Sequence, residues 1–146
     1  MALKVYRASA GTGKTYRLTL MYLTLLLGNV SRFDPRAFYR ILAVTFTNKA
    51  TDQMKTRILD TLESLAAGKT PAMGSDLCRE TGLPFEQIVS RAATVHKTLL
   101  HNYSWFSVST LDAFFQRVLQ SFVMEAGLGS GYSVDTDTDY LLDKTA

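Results

Sequence analysis

Residues Ala8-Ser9-Ala10-Gly11-Thr12-Gly13-Lys14-Thr15 constrain this chain more than any other stretch. They follow a short strand-like run, Leu3–Arg7, and lead into a long apolar helix. A strand, a turn of small residues and a helix in that order form the setting of a phosphate-binding loop. Small residues let the backbone wrap a phosphate and turn successive N–H groups inward, and the positive end of the following helix adds to the attraction. In this reading Ala10, Gly11, Thr12 and Gly13 supply the backbone cradle. Lys14 brings a mobile positive charge to the outer phosphates, and Thr15 a hydroxyl for Mg²⁺. The general pattern G-x-x-x-x-G-K-[ST] has Gly where this chain has Ala8. The competing reading is a Gly-rich turn that binds nothing; Lys14-Thr15 and the flanking elements argue against it.

The helix from about Gly13 to Leu27 is apolar nearly all round, and such a helix is covered on most sides. Gly28-Asn29 provide its stop. Asn29 to Arg40 reads as a loop, and Ile41–Phe46 as a parallel strand buried on both faces, because its apolar run does not alternate. Met54, Ile58, Leu62, Leu65 and Ala66 recur at helical spacing up to Gly68, with Lys55, Arg57, Asp60 and Glu63 on other faces. Lys69 to Leu83 is polar and broken by Pro71, Gly74 and Gly82, leaving room for a helical turn or two. Pro84 suits a first helical position, ahead of the apolar stripe Phe85, Ile88, Val89, Ala92, Val95 and Leu99. A short strand is expected at Trp105–Ser109. A helix with Leu111, Phe114, Phe115, Val118, Leu119, Phe122 and Val123 on one face then closes at Gly127. Trp105, Phe114 and Phe115 suit a core better than a base-stacking platform, because their spacing fits the buried stripe. The order is α/β, with three parallel strands joined by crossover helices. Three strands are few for a nucleotide-binding sheet, so the chain is expected to be part of a larger domain or protein.

The 146 residues are 47% hydrophobic and 20% charged, a balance that suits one globular domain with a core. A net charge of +3 permits a polyanionic partner without demanding one. The single Cys78 excludes an internal disulfide framework and reads as a small half-buried hydrophobe. No secretory signal precedes the loop, and Leu18–Leu27 is about half the length that spans a bilayer. A cytoplasmic protein with no membrane partner is expected.

Two more stretches fall at strand ends, where open α/β sheets collect their ligand-binding groups. Thr45-Phe46-Thr47-Asn48-Lys49-Ala50 mixes hydroxyls, an amide, a base and an aromatic ring. Thr47 and Asn48 could donate to phosphate or sugar while Phe46 stacks on a base. From physics alone a helix cap with a buried Phe explains the same residues. Ser109-Thr110-Leu111-Asp112 ends the third strand. Asp135-x-Asp137-x-Asp139 follows no apolar strand and has Tyr140 where a calcium loop has Gly, so it reads as a solvated turn. His96 and His101 are five apart and do not share a helix face as an i, i+4 metal pair would.

Ala8–Thr15 together with Leu42–Ala50 resembles motifs I and Ia of the superfamily 1 DNA helicases of the UvrD/Rep type, and the likeness continues through Thr51, Met54, Arg57 and Ile58. Motif I of that family commonly carries Ala at the position of Ala8. Ser109–Leu119 is similar to motif Ib of the RecB/AddA branch, with Asp112 where that motif usually has His. The resemblance covers roughly residues 1–125. It implies a RecA-like P-loop fold with a partial parallel sheet, crossover helices and a helical insertion. It further implies ATP held by Gly11, Gly13, Lys14 and Thr15 with Mg²⁺ on Thr15, and single-stranded DNA touched by Phe46, Thr47, Asn48 and Thr110.

On that resemblance, 1–68 is the P-loop core of motor domain 1A, 69–103 a helical insertion, 104–127 a further strand and helix of 1A, and 128–146 the start of a 1B-like region. The full protein would be an ATP-dependent DNA helicase acting on duplex ends in recombinational double-strand-break repair. A C-terminal exonuclease and an AddB/RecC-like partner subunit would accompany it. The Walker B carboxylates and second motor domain are not among these residues, so the chain is expected to be an N-terminal part that binds nucleotide without turning it over. A small P-loop kinase and a non-catalytic binding module are the alternatives. Against the kinase stands the segment Gly68–Leu83, which has only Arg79 where a lid would be rich in arginines.

Overall fold

The segments with apolar residues at helical spacing fold as helices in the computed structural model, which describes residue 5 and residues 13–127. Helix α1 spans Lys14–Leu27, α2 Asn48–Ala66, α3 Gly74–Thr81, α4 Phe85–His101 and α5 Leu111–Glu125. Strands β1 (Ala43–Thr45) and β2 (Val108–Thr110) pair in parallel, with Ala43 opposite Val108, Val44 opposite Ser109 and Thr45 opposite Thr110. The connection between them runs through α2, α3 and α4, and a parallel pair needs a crossover of this kind.

The core is built where the helical stripes meet. Met54, Ile58, Leu62 and Leu65 of α2 and Ile88, Ala92, Val95 and Leu99 of α4 are all fully buried, and the two helices pack along each other. Helix α1 lies against α2 and α3 and contributes Leu20, Leu23, Leu26 and Leu27. Phe38, from a 3₁₀ turn at Ala37–Arg40 in the predicted loop, fills the same cluster. The polar segment before Pro84 forms the eight-residue helix α3, at the upper end of the expected turn or two, because Leu77 is fully buried and Cys78 packs half-buried beside the core. Pro84 caps α4 from just outside it rather than occupying its first turn.

Several expectations need correction. Among the described residues two strands form, and the predicted first strand lies outside them apart from the exposed Val5. The strand expected over Ile41–Phe46 is three residues long and alternates. Ala43 and Thr45 are half-buried while Val44 is 40% exposed, so one sheet face is covered and the other open. The β2 strand begins three residues later than Trp105, because Tyr103–Trp105 makes a 3₁₀ turn. Trp105 is 58% exposed and stacks on Tyr39 at 5.2 Å between centroids, so it belongs to the surface rather than the core. Helix α1 leaves Leu18 and Leu25 exposed.

The chain divides into two units, residues 1–111 and 112–146. Helix α5 carries the second as far as it is described. No side chain of α5 is buried, and Phe115 is 54% exposed, contrary to the buried stripe expected there.

Candidate nucleotide and nucleic-acid site

Gly13 caps α1 with φ +75°, the left-handed region that glycine enters without strain. Among the described residues an added Cβ there would come no nearer than 3.9 Å, to Tyr16 Cβ, and the backbone angle favours Gly. Among the described residues no side chain caps α1, and its first turn holds no acidic residue. The helix therefore places no carboxylate of its own at its positive end, which fits a bound anion. Lys14 is exposed at this end and Thr15 half-buried, with its carbonyl accepting from the Thr19 hydroxyl at 2.8 Å. Ala10, Gly11 and Thr12 lie outside the described residues.

Thr15 opens onto a groove of about 870 Å³ whose other wall is one face of α2, from Lys49 through Gln53 and Arg57 to Asp60. Two cations, Lys49 and Arg57, thus line the groove onto which Thr15 opens, with Asp52 and Asp60 on the same wall. Spacing alone puts Arg57 and Asp60 on faces other than the apolar stripe. Spacing gives the angle of a side chain about its own helix, not what stands opposite it.

The turn after β1 is held by three threonines. Thr47 caps α2, its hydroxyl accepting from the Ala50 N–H at 3.1 Å. The Thr45 hydroxyl lies 2.6 Å from that of the buried Thr51 and donates to the Thr47 carbonyl at 3.1 Å. Because the residues either side of Phe46 are tied down, its ring projects outward and is 87% exposed. The cap is as the simple reading expects, but the buried Phe is not. Thr47, Asn48 and Lys49 are exposed as well. The parallel register puts the carboxyl ends of β1 and β2 side by side, so Phe46–Asn48 and the half-buried Thr110 share one sheet edge.

A model of the UvrD/REP helicase N-terminal domain matches residues 3–145. The chain belongs to that family. Among curated proteins it is 32% identical over 125 residues to the RecBCD enzyme subunit RecB of Buchnera aphidicola, covering 81% of this chain and 10% of the relative. The Escherichia coli protein of the same name is 31% identical over 130 residues, covering 86% of this chain and 11% of the relative. A probable DNA helicase II homolog of Mycoplasma genitalium is 44% identical over 66 residues, 45% of this chain and 9% of the relative. The chain thus spans about a tenth of the length of these relatives. The comparison with solved structures gives no match. A parallel strand pair with helical crossovers is compatible with the RecA-like fold that the UvrD/REP family implies.

One contact of this UvrD/REP domain was not legible in its motifs. The Tyr16 hydroxyl, one residue after Thr15, donates to Asp76 Oδ2 on α3 at 2.6 Å, and Arg79 Nη2 donates to Asp76 Oδ1 at 2.6 Å. The Tyr16 bond, with help from Arg79 and Arg17, holds the Asp76 carboxyl below its usual range, and the same bond raises the Tyr16 phenol. No local sequence signal joins residues sixty apart. His101 Nδ1 lies 2.7 Å from the Lys97 carbonyl, and among the described residues no cluster of His, Cys, Asp and Glu could hold a metal ion. Asp135, Asp137 and Asp139 lie outside the described residues. No described helix is long and apolar enough to cross a membrane.

Proposed function

We propose that these residues form the nucleotide- and DNA-handling start of an ATP-dependent DNA helicase, in which 1–68 and 104–127 belong to motor domain 1A, 69–103 is its helical insertion, and 128–146 opens a 1B-like region. Gly11, Gly13, Lys14 and Thr15, with backbone from Ala10 and Thr12, hold the ATP phosphates. Thr15 would present its hydroxyl to Mg²⁺, which would offset the charge of the phosphates. The uncapped, acid-free start of α1 supports this assignment. Phe46 stacks on a base of single-stranded DNA, and Thr47, Asn48 and Thr110 donate to the strand's backbone.

The observation that carries the reading is the 87% exposure of Phe46 on the same sheet edge as the end of β2. An aromatic ring held out by its neighbours' hydrogen bonds stacks on bases of any sequence, as a motor moving along DNA requires. The start of α1 and the turn after β1 both adjoin α2, so a change at the γ-phosphate would reach the DNA contacts through that helix. The full protein would work in a helicase–nuclease assembly with an AddB/RecC-like subunit, in the cytoplasm, on duplex ends during recombinational repair; relatives named as RecB subunits of a RecBCD enzyme support a place in a multisubunit enzyme.

The test is a fluorescence-anisotropy titration of labelled oligo-dT at two salt concentrations. The wild-type chain is expected to bind more weakly at higher salt, and Phe46→Ala to lose about tenfold in affinity. Because the ring is exposed, the thermal midpoint should not move. Equal binding by wild type and Phe46→Ala would remove Phe46 from the interface, and no binding by the wild type would remove DNA contact from this edge.

A further inference from the structure

The first turn of α1 presents Lys14 and Thr15, yet among the described residues no side chain caps it and it holds no acidic residue of its own. What braces it comes from the helical insertion. At the start of α1, Tyr16 donates to Asp76, a carboxylate also held by Arg79 on the same helix. At its end, α1 comes so close to α3 that a Cβ on Gly28 would lie 2.9 Å from the Thr81 methyl. Helix α3 is itself anchored by the fully buried Leu77, with its Thr81 hydroxyl donating to the Leu77 carbonyl at 2.6 Å. The Tyr16 ring packs partly against the core, so the hydroxyl bond selects where that ring, and the turn behind it, comes to rest.

We propose that Asp76 is a positioning residue for nucleotide binding: through the Tyr16 hydroxyl, the insertion helix α3 sets the place of the turn that carries Lys14 and Thr15. The inference rests on the reading of Lys14 and Thr15 as phosphate ligands. Placement by a neighbouring element matters here because donors a fraction of an ångström out of place lose much of their effect on a phosphate. Asp76 touches no nucleotide in this scheme. It gives the insertion a lever on the phosphate loop, so that whatever shifts α3 shifts nucleotide affinity.

The test is equilibrium titration of the 146-residue chain with a fluorescent ATP analogue and Mg²⁺, with thermal melting alongside. Asp76→Ala and Tyr16→Phe are each expected to weaken binding about three- to tenfold. The double variant should be no weaker than either single one, because both remove the same bond. Asp76→Asn, whose amide oxygen can still accept from Tyr16, should recover most of the affinity, which a general loss of packing would not allow. Binding by Asp76→Ala and Tyr16→Phe equal to wild type, with Lys14→Ala abolishing it, overturns the positioning role and leaves the phosphate loop standing. Losses that simply add in the double variant overturn it too. A wild-type chain that binds no nucleotide overturns the phosphate-loop reading itself.

Discussion

Tyr22 faces inward from α1 with only 3% of its surface exposed, its ring edge-on to Phe106 at 5.9 Å. Its hydroxyl has no hydrogen-bond partner among the described residues, and burial pushes its pKa far above that of an ordinary phenol. An unpaired buried hydroxyl costs roughly 1–3 kcal/mol of desolvation that a benzene ring does not incur. Tyr22→Phe is therefore expected to raise stability by about 1 kcal/mol in a urea titration. A loss of that size would mean that the hydroxyl has a partner after all. At Asp76 the expectation concerns pH. Its carboxyl is held below the ordinary value of 3.8, so its stabilising contribution is complete above 3.8 and is lost as pH falls through the lower folded value. The Tyr16 phenol is raised, so its share is present below 10.0 and fades as pH climbs through the higher folded value. Melting curves of wild type and Asp76→Ala should differ slightly at neutral pH and converge in strong acid; a gap that widened in acid would contradict the bond.

At the scale of elements, the ends of helices decide how α1 and α2 are held. The end of α1 relies on a distant residue: Arg91 of α4 donates from Nη1 to the carbonyls of Leu27 and Asn29 at 2.6 and 2.7 Å, its guanidinium 4.9 Å from the centre of the Phe33 ring. Carbonyls at a helix end lack partners within the helix, and a cation supplies both charge and donors. Arg91→Ala is expected to lower stability by about 1–2 kcal/mol in chemical denaturation. An unchanged midpoint would mean that water serves those carbonyls equally well. The helices themselves were largely legible from residue spacing, because a stripe such as Ile88, Ala92, Val95 and Leu99 dictates both periodicity and burial. The strands were less so. Ile41–Phe46 is apolar throughout, and an apolar run states that burial is favourable without stating which face finds a partner. Pairing with β2 and coverage by α2 settled that question for Ala43 and Thr45 and left Val44 open.

For the whole molecule, binding and turnover should separate. The 146-residue sequence has no apolar run ending in paired carboxylates, and phosphoryl transfer to water needs such groups to hold metal and orient the nucleophile. The purified chain is expected to bind nucleotide and show no steady ATP hydrolysis above background in a coupled phosphate-release assay. Sustained release abolished by Lys14→Ala would contradict this. Lys14, Thr15, Phe46 and Thr47 were all readable as candidates because each belongs to a short motif in which chemistry depends on neighbours in sequence. That logic extends to the conformation of Gly13 and the cap at Thr47, both products of local backbone geometry. It does not extend to the outward pose of Phe46, to Arg57 facing Thr15 across a groove, or to the Tyr16–Asp76 bond. Those depend on where separate elements come to rest, which is set by filling one core from α1, α2, α3 and α4 at once. The sequence by itself determined the helices, the phosphate-loop motif and the family resemblance, because local spacing and residue type carry that information. The tertiary structure alone decided which polar side chains meet, since packing brings residues sixty positions apart within hydrogen-bonding distance and no local pattern encodes that encounter.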